Sequence, residues 1–265
     1  ALKAYRMRNL VCLLLLVAAV APCVLSVEEI YEDNIIVGAG ISGLQLGYYF
    51  TRGNRPYLMI ERGPKVGMFF RKFPRHDKLI SINKRHTGRT NKEFNLRHDW
   101  NSLVSDDDSL IFGKYTDVYF PHRHFIVKYM EDFQSKLGIG PIRYNTAISG
   151  VKPVWNETLG RNTFIMNDQH GNIFRCRNLM INTGIDIPQE PVFEGMQYVE
   201  GYEDVSVDPD NFTGQSVLIL GNGNSGFEMA ASAIPRAKLV HMLGKSRIKL
   251  AFNTHYVGNL RAINT

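Results

Sequence analysis

Cysteine is scarce in this chain of 265 residues: there are three, Cys12, Cys23 and Cys176, and no two form a C-x-x-C pair. That excludes a redox dithiol of the kind that relays electrons between thiols. Strong charge of one sign is also missing, because 31 Lys and Arg stand against 25 Asp and Glu for a formal net of +6. So mild a balance argues against a nucleic-acid partner. There is no low-complexity tract, no repeat beyond one motif used twice, and no side chains are assigned to a metal.

What is present in duplicate is G-x-G-x-x-G. Gly38, Gly40 and Gly43 follow the apolar run 34–37, and Gly221, Gly223 and Gly226 follow the apolar run 217–220. The first glycine of such a motif turns the chain out of a strand, the second lets backbone approach a pyrophosphate, and the third lets helix and strand pack closely. The phosphates then meet the free N–H groups at the helix N-terminus. Two such units predict an α/β protein with two Rossmann-type dinucleotide-binding units on parallel sheets.

The two units differ beyond their glycines. In the first, a helix is predicted over 41–53 and a strand over 57–60, which ends at Glu61, 23 residues after Gly38. A carboxylate about 20 residues on receives a ribose hydroxyl. In the second, a helix over 224–233 and a strand over 238–243 bring the same count to Gly244, and Lys245-Ser246-Arg247 comes next. Two cations and a hydroxyl in place of an acid suit a 2′-phosphate, and so NADPH over NADH. An ordinary solvated strand end would carry the same two cations.

The N-terminus reads as a targeting segment. Lys3, Arg6 and Arg8 precede the apolar run 10–21, and Val24-Leu25-Ser26 offers small residues for cleavage, so 1–26 is expected to be a secretory signal peptide. A retained anchor is the alternative, against which Pro22 shortens the run below the roughly 18 residues a span prefers. No membrane span is expected after cleavage. Removal would take Cys12 and Cys23 and lower the formal net to +3, leaving Cys176 as an inert buried thiol. Asn156-Glu157-Thr158 and Asn211-Phe212-Thr213 are glycosylation acceptors in a secretory lumen.

Between the units, residues 122–137 carry a helical stripe ending at Gly138, and strands are expected over 142–148, 163–167 and 173–181 with a turn near 168–172. The run 71–98 is basic, which suits a solvated face or a contact with anionic groups; 106–108 is an acidic tip. The expected domains are 27–205 for the first nucleotide and 206–265 for the start of the second. Only 22 residues come after position 243, so the second unit is expected to be incomplete, and tight cofactor binding by this chain alone is not expected.

Longer stretches carry a resemblance. RHDKLISINKR at 75–85, FNLRHDWNSL at 94–103 and THYVGNLRAIN at 254–264 resemble the FAD-dependent oxidoreductase domain-containing protein 2 family, also called the endoplasmic reticulum flavoprotein associated with degradation, within the class B flavoprotein monooxygenase superfamily. The likeness extends from about residue 32 to 265. It implies FAD on Gly38, Gly40, Gly43 and Glu61, with Gly67 beside the flavin and Thr183-Gly184 matching a turn that returns to it. It implies NADPH on Gly221, Gly223, Ser225 and Gly226. It also implies a place in the endoplasmic reticulum lumen, with the degradation machinery and misfolded glycoproteins as partners.

One departure bears on mechanism. The superfamily's F-x-G-x-x-x-H-x-x-x-[YF] segment aligns here with Val199, Gly201, Val205 and Pro209, so the histidine and aromatic are both missing. That shifts the expectation from oxygen insertion, kept as an alternative, to an FAD-dependent oxidoreductase that uses NADPH. A flavin-stabilised adaptor with little turnover is the other alternative. No catalytic side chain is named, because hydride transfer between the cofactors needs alignment and no side-chain acid or base. For His76, His86, His98 and Asn83, in the family-specific stretches, a structural or solvated role is weighed against lining the flavin.

Overall fold

The computed structural model describes residues 27–84, 86–185 and 190–248. The predicted signal segment and the 254–264 stretch lie outside the described residues. A six-stranded sheet runs in the order β3-β2-β1-β6-β5-β4, formed by β1 (Glu29–Val37), β2 (Leu58–Ile60), β3 (Ile142–Arg143), β4 (Ile148–Asn156), β5 (Arg161–Asp168) and β6 (Ile173–Ile181). Its half around β1 is parallel, since β1 pairs in that sense with both β2 and β6, and β2 with β3. The other half is an antiparallel meander of β4, β5 and β6.

Helix α1 (Ile41–Arg52) spans the predicted 41–53 with Gly53 as its C-cap, and α4 (Arg123–Lys136) spans the predicted 122–137. The α4 stripe is core: Ile126, Tyr129, Met130 and Phe133 are buried with Ile36, Leu44, Tyr48 and Met59. Burying each such side chain is worth about 1.5–3 kcal/mol. A second cluster, Ile35, Ile60, Met166, Phe174 and Cys176, fills the opposite face of the sheet. Alternation along β1 sends Ile35 one way and Ile36 the other.

The predicted strand 142–148 is a strand only at Ile142–Arg143, and β4 begins where it was expected to end, at Ile148. Asn145 adopts φ 53°, and the Asn145 and Thr146 amides donate to the Gly63 and Glu61 carbonyls at 3.0 Å each, so the chain turns aside toward the loop after β2. The 168–172 turn is as read, and its anchor is Asp168, whose carboxylate accepts from the His170 and Asn172 amides and the Asn172 side chain at 2.8–2.9 Å. Burial pushes that carboxyl up, but these bonds outweigh it and hold it below the usual carboxylate range.

Short helices α2 (Met68–Lys72) and α3 (Lys92–His98) carry no apolar period long enough to read from sequence. Asn91 caps α3, its Oδ1 accepting from the Phe94 amide at 2.8 Å. The second unit consists of β7 (Ser216–Leu220), α5 (Asn224–Ala233) and β8 (Leu239–Leu243), with β7 and β8 parallel. No helix among the described residues is long and apolar enough to cross a membrane.

Tyr129 tests how the loop after α3 is held. Its hydroxyl accepts from the Leu103 amide at 2.6 Å and donates toward the Leu110 carbonyl at 3.4 Å inside the core, and burial raises its pKa. Tyr129→Phe strands a buried amide, so urea denaturation is expected to show a loss of about 1–3 kcal/mol.

Candidate functional site

The first glycine turn is where β1, α1 and the end of β6 meet. Gly38 has φ 102°, its amide donates to the Ile60 carbonyl at 2.7 Å, and a Cβ there would lie 2.4 Å from the Asn182 carbonyl oxygen. Gly43 is more restricted still, since its Cβ would lie 1.9 Å from the Gly38 carbonyl oxygen. At Gly40, by contrast, a Cβ would meet nothing within 4 Å. Gly40 caps α1 without a side-chain hydrogen bond, and the first helical bond runs from the Leu44 amide, so the amides of Ile41, Ser42 and Gly43 have no partner within the helix. That is what a pyrophosphate site requires.

Glu61 and Gly67 both reach this turn. The Glu61 carboxylate accepts from the Ala39 amide at 2.8 Å and from the Gly63 amide at 2.8 Å. Gly67, at φ 70°, donates its amide to the Ala39 carbonyl at 3.1 Å. Ala39 is thus gripped from both sides. Each Glu61 oxygen keeps a lone pair for a ribose hydroxyl, but the carboxylate also shapes the loop, a role that spacing did not reveal. Asn182 donates its amide to the Val37 carbonyl at 2.8 Å, which sets Thr183 and Gly184, both exposed, beside the turn.

The second turn repeats this geometry. Gly221 has φ 131°, a Cβ on Gly226 would sit 2.6 Å from the Gly221 carbonyl oxygen, and Gly223 faces open space. Gly244 lies against a side chain of the second turn. Its Cβ would come within 2.3 Å of the Asn222 carboxamide, which donates to the Ser246 carbonyl at 2.7 Å. Asn222 therefore sets the course of 245–247, where Lys245 and Arg247 are exposed and form no ion pair among the described residues.

A cleft of about 430 Å³ lies between the units. Phe69, Phe73, Leu79, Ile185 and Tyr202 form apolar walls, and Asn224, Ser225 and Glu228 close it from the first turns of α5. Ser225, taken from sequence as part of the second fingerprint, faces this space. Glu228 was missed. Burial alone pushes its carboxyl up, and nothing in a single glycine motif distinguishes it from a surface glutamate.

The basic run 71–98 is largely tied down. Arg71 pairs with Glu131, Lys72 with Glu203, Lys92 with Asp108 and Arg97 with Glu93, while Arg75 donates to the Tyr202 carbonyl. The acidic tip shares in this, since Asp106 also pairs with Arg52 at 3.0 Å. Asp77, at φ 67°, is held by His122 at 2.7 Å and Arg123 at 3.1 Å. Asn83 is buried and donates to the Thr116 carbonyl at 2.8 Å, so its role is structural. His98 stacks on Phe94, His86 is exposed, and His76 has its pKa lowered by burial and then by Arg75. Among the described residues, no group of three or more His, Cys, Asp or Glu could hold a metal.

The glycines separate fold from binding. Gly43→Ala is expected to lower the thermal midpoint, whereas Gly40→Ala is expected to leave it unchanged and weaken binding of an adenine dinucleotide, as calorimetry and titration would show.

Over residues 35–265 the chain matches the pyridine nucleotide-disulphide oxidoreductase family. It is 48% identical over 239 residues to FAD-dependent oxidoreductase domain-containing protein 2 of Mus musculus, covering 88% of this chain and 35% of the relative. The Danio rerio protein of that name is 45% identical over 233 residues, covering 88% and 34%. The chain spans about a third of the length of these curated relatives. Its fold is that of a mutant flavin monooxygenase from Stenotrophomonas maltophilia, with a TM-score of 0.64 at 19% identity over 86% of this chain and 61% of that one. On the strength of its matched span, the chain belongs to the pyridine nucleotide-disulphide oxidoreductase family.

Proposed function

We propose that this chain carries the dinucleotide-binding part of an FAD-dependent oxidoreductase, with FAD on the first glycine turn and NADPH on the second. One observation carries the reading. Ile185, which comes directly after the Thr183-Gly184 turn, and Asn224 and Ser225 at the head of the second helix line the same cleft. The two nucleotide sites therefore open onto one apolar space.

When bound, the cofactors supply the chemistry: a nicotinamide gives a hydride to a flavin. The residues of the chain hold and orient. The amides after Gly40 and Gly223 receive pyrophosphates, Glu61 takes a ribose hydroxyl, and Lys245 and Arg247 are free to receive a 2′-phosphate. Phe69, Phe73 and Tyr202 keep water from the cleft, where Phe73 and Tyr202 stack at 6.2 Å with an interplanar angle of 12°. Aligned with the oxygenase histidine, Val205 packs against the cluster of Phe212, Met229 and Ala233. An apolar group spent on core packing favours electron delivery over oxygen insertion.

The predicted leader and the likeness to the lumenal flavoprotein family support a place in the endoplasmic reticulum lumen. There the electrons would serve clearance of misfolded glycoproteins with the degradation machinery.

Two measurements test this. With the full-length protein loaded with FAD, anaerobic stopped-flow mixing with NADPH is expected to bleach the flavin band faster than NADH does; an unbleached flavin overturns the oxidoreductase reading and leaves the adaptor. Replacing both Lys245 and Arg247 by Ala is expected to weaken 2′,5′-ADP at least about tenfold, or 1.4 kcal/mol, while AMP is unaffected. Equal losses for both ligands would remove the 2′-phosphate from the argument.

A further inference from the structure

The hairpin joining β4 and β5 has no part in either nucleotide site. β4 is an edge strand of the six-stranded sheet, and seven of its nine residues are exposed. Val151, Val154 and Trp155 are among them, and Leu159 is exposed in the turn. An exposed edge with apolar side chains invites another strand. The first half of β4 is guarded by a register shift between Ser149 and Lys152, by Lys152 itself and by Pro153. No such device protects residues 154–156.

The sequon Asn156-Glu157-Thr158 begins at that unguarded end. Asn156 Oδ1 accepts from the Leu159 amide at 3.0 Å, which fixes the carboxamide, while Nδ2 has no partner among the described residues. Glu157 and Thr158 are exposed. The other sequon is built differently. Asn211 Nδ2 donates to Ser206 Oγ at 2.6 Å, the Thr213 hydroxyl donates to the Asp210 carbonyl at 2.8 Å, and Phe212 is buried. Those bonds span five residues or fewer, so they form as a local turn and occupy the acceptor nitrogen.

We infer that Asn156 carries an N-linked glycan that covers the apolar end of β4, and that Asn211 does not carry one. In the transfer, Nδ2 of Asn156 bonds to the anomeric carbon of a lipid-linked oligosaccharide pyrophosphate. The bond from that carbon to the pyrophosphate oxygen breaks, the lipid pyrophosphate leaves, and the amide gives up one proton. Val154 and Asn156 share a face of the strand by alternation, so the sugar lies over Val154 and along the free edge. A hydrated, bulky group there does what Lys152 and Pro153 do for the first half.

This inference rests on the proposed entry into the lumen, and its test separates the two. The chain with its N-terminal segment is expressed in glycosylating cells, and membranes are isolated and treated with protease. A protected chain with one glycan, lost in both Asn156→Gln and Thr158→Ala and kept in Asn211→Gln and Thr158→Ser, is the expected result. A protected chain with Asn156 bare, or with the glycan on Asn211, overturns the inference and leaves lumenal entry standing; a chain digested from the cytosolic side overturns both. Enzymatic removal of the glycan is expected to raise self-association in light scattering, and unchanged scattering would remove the shielding role.

Discussion

The structure depends on how closely one carbonyl may be approached. The oxygen of Gly38 stands where a Cβ on Gly43 would need to be, at 1.9 Å, and the Asn182 carbonyl crowds Gly38 itself at 2.4 Å. Strand, helix and returning strand can converge there because two residues lack side chains. Ala39 is then held between Glu61 and Gly67, which connects the second strand and α2 to the same point. The order of the sheet, the aim of α1 and the position of the Thr183-Gly184 turn all depend on that contact.

The second unit uses the same device with fewer participants. Gly226 meets the Gly221 carbonyl at 2.6 Å, but a Cβ on Gly221 would meet nothing within 4 Å. Its distinctive feature lies further on, where the Asn222 carboxamide lies against Gly244 and anchors Ser246. The lack of an acid at that position thus leaves a cationic loop suited to phosphate.

Much of this was legible in sequence where a local rule has one solution. The ends of α5 and β6 fall at the predicted residues, because a glycine turn fixes the start of one and a turn bounded by Asp168 and Gly171 fixes the start of the other. β4 escaped notice because an exposed edge strand needs no apolar alternation and tolerates Pro153. The second function of Glu61 and the clasp of Asp77 by His122 and Arg123 were invisible for another reason: the partners lie 22 to 46 residues apart in sequence, with no spacing rule to join them. The same holds for Lys72 with Glu203 and Arg75 with Tyr202, which fasten the wall of the cleft to the connector before the second unit.

Cys176 lies at the centre of β6, fully buried between Phe174 and the rest of the inner cluster, and burial raises its thiol to about 11. A thiol so placed is protonated and shielded, and reagents reach it only when β6 parts from its neighbours β1 and β5. β6 also carries the turn that crowds Gly38. The rate at which an alkylating reagent consumes this one side chain therefore serves as a clock for opening of the sheet at the nucleotide turn, and a ligand that braces the turn slows that clock.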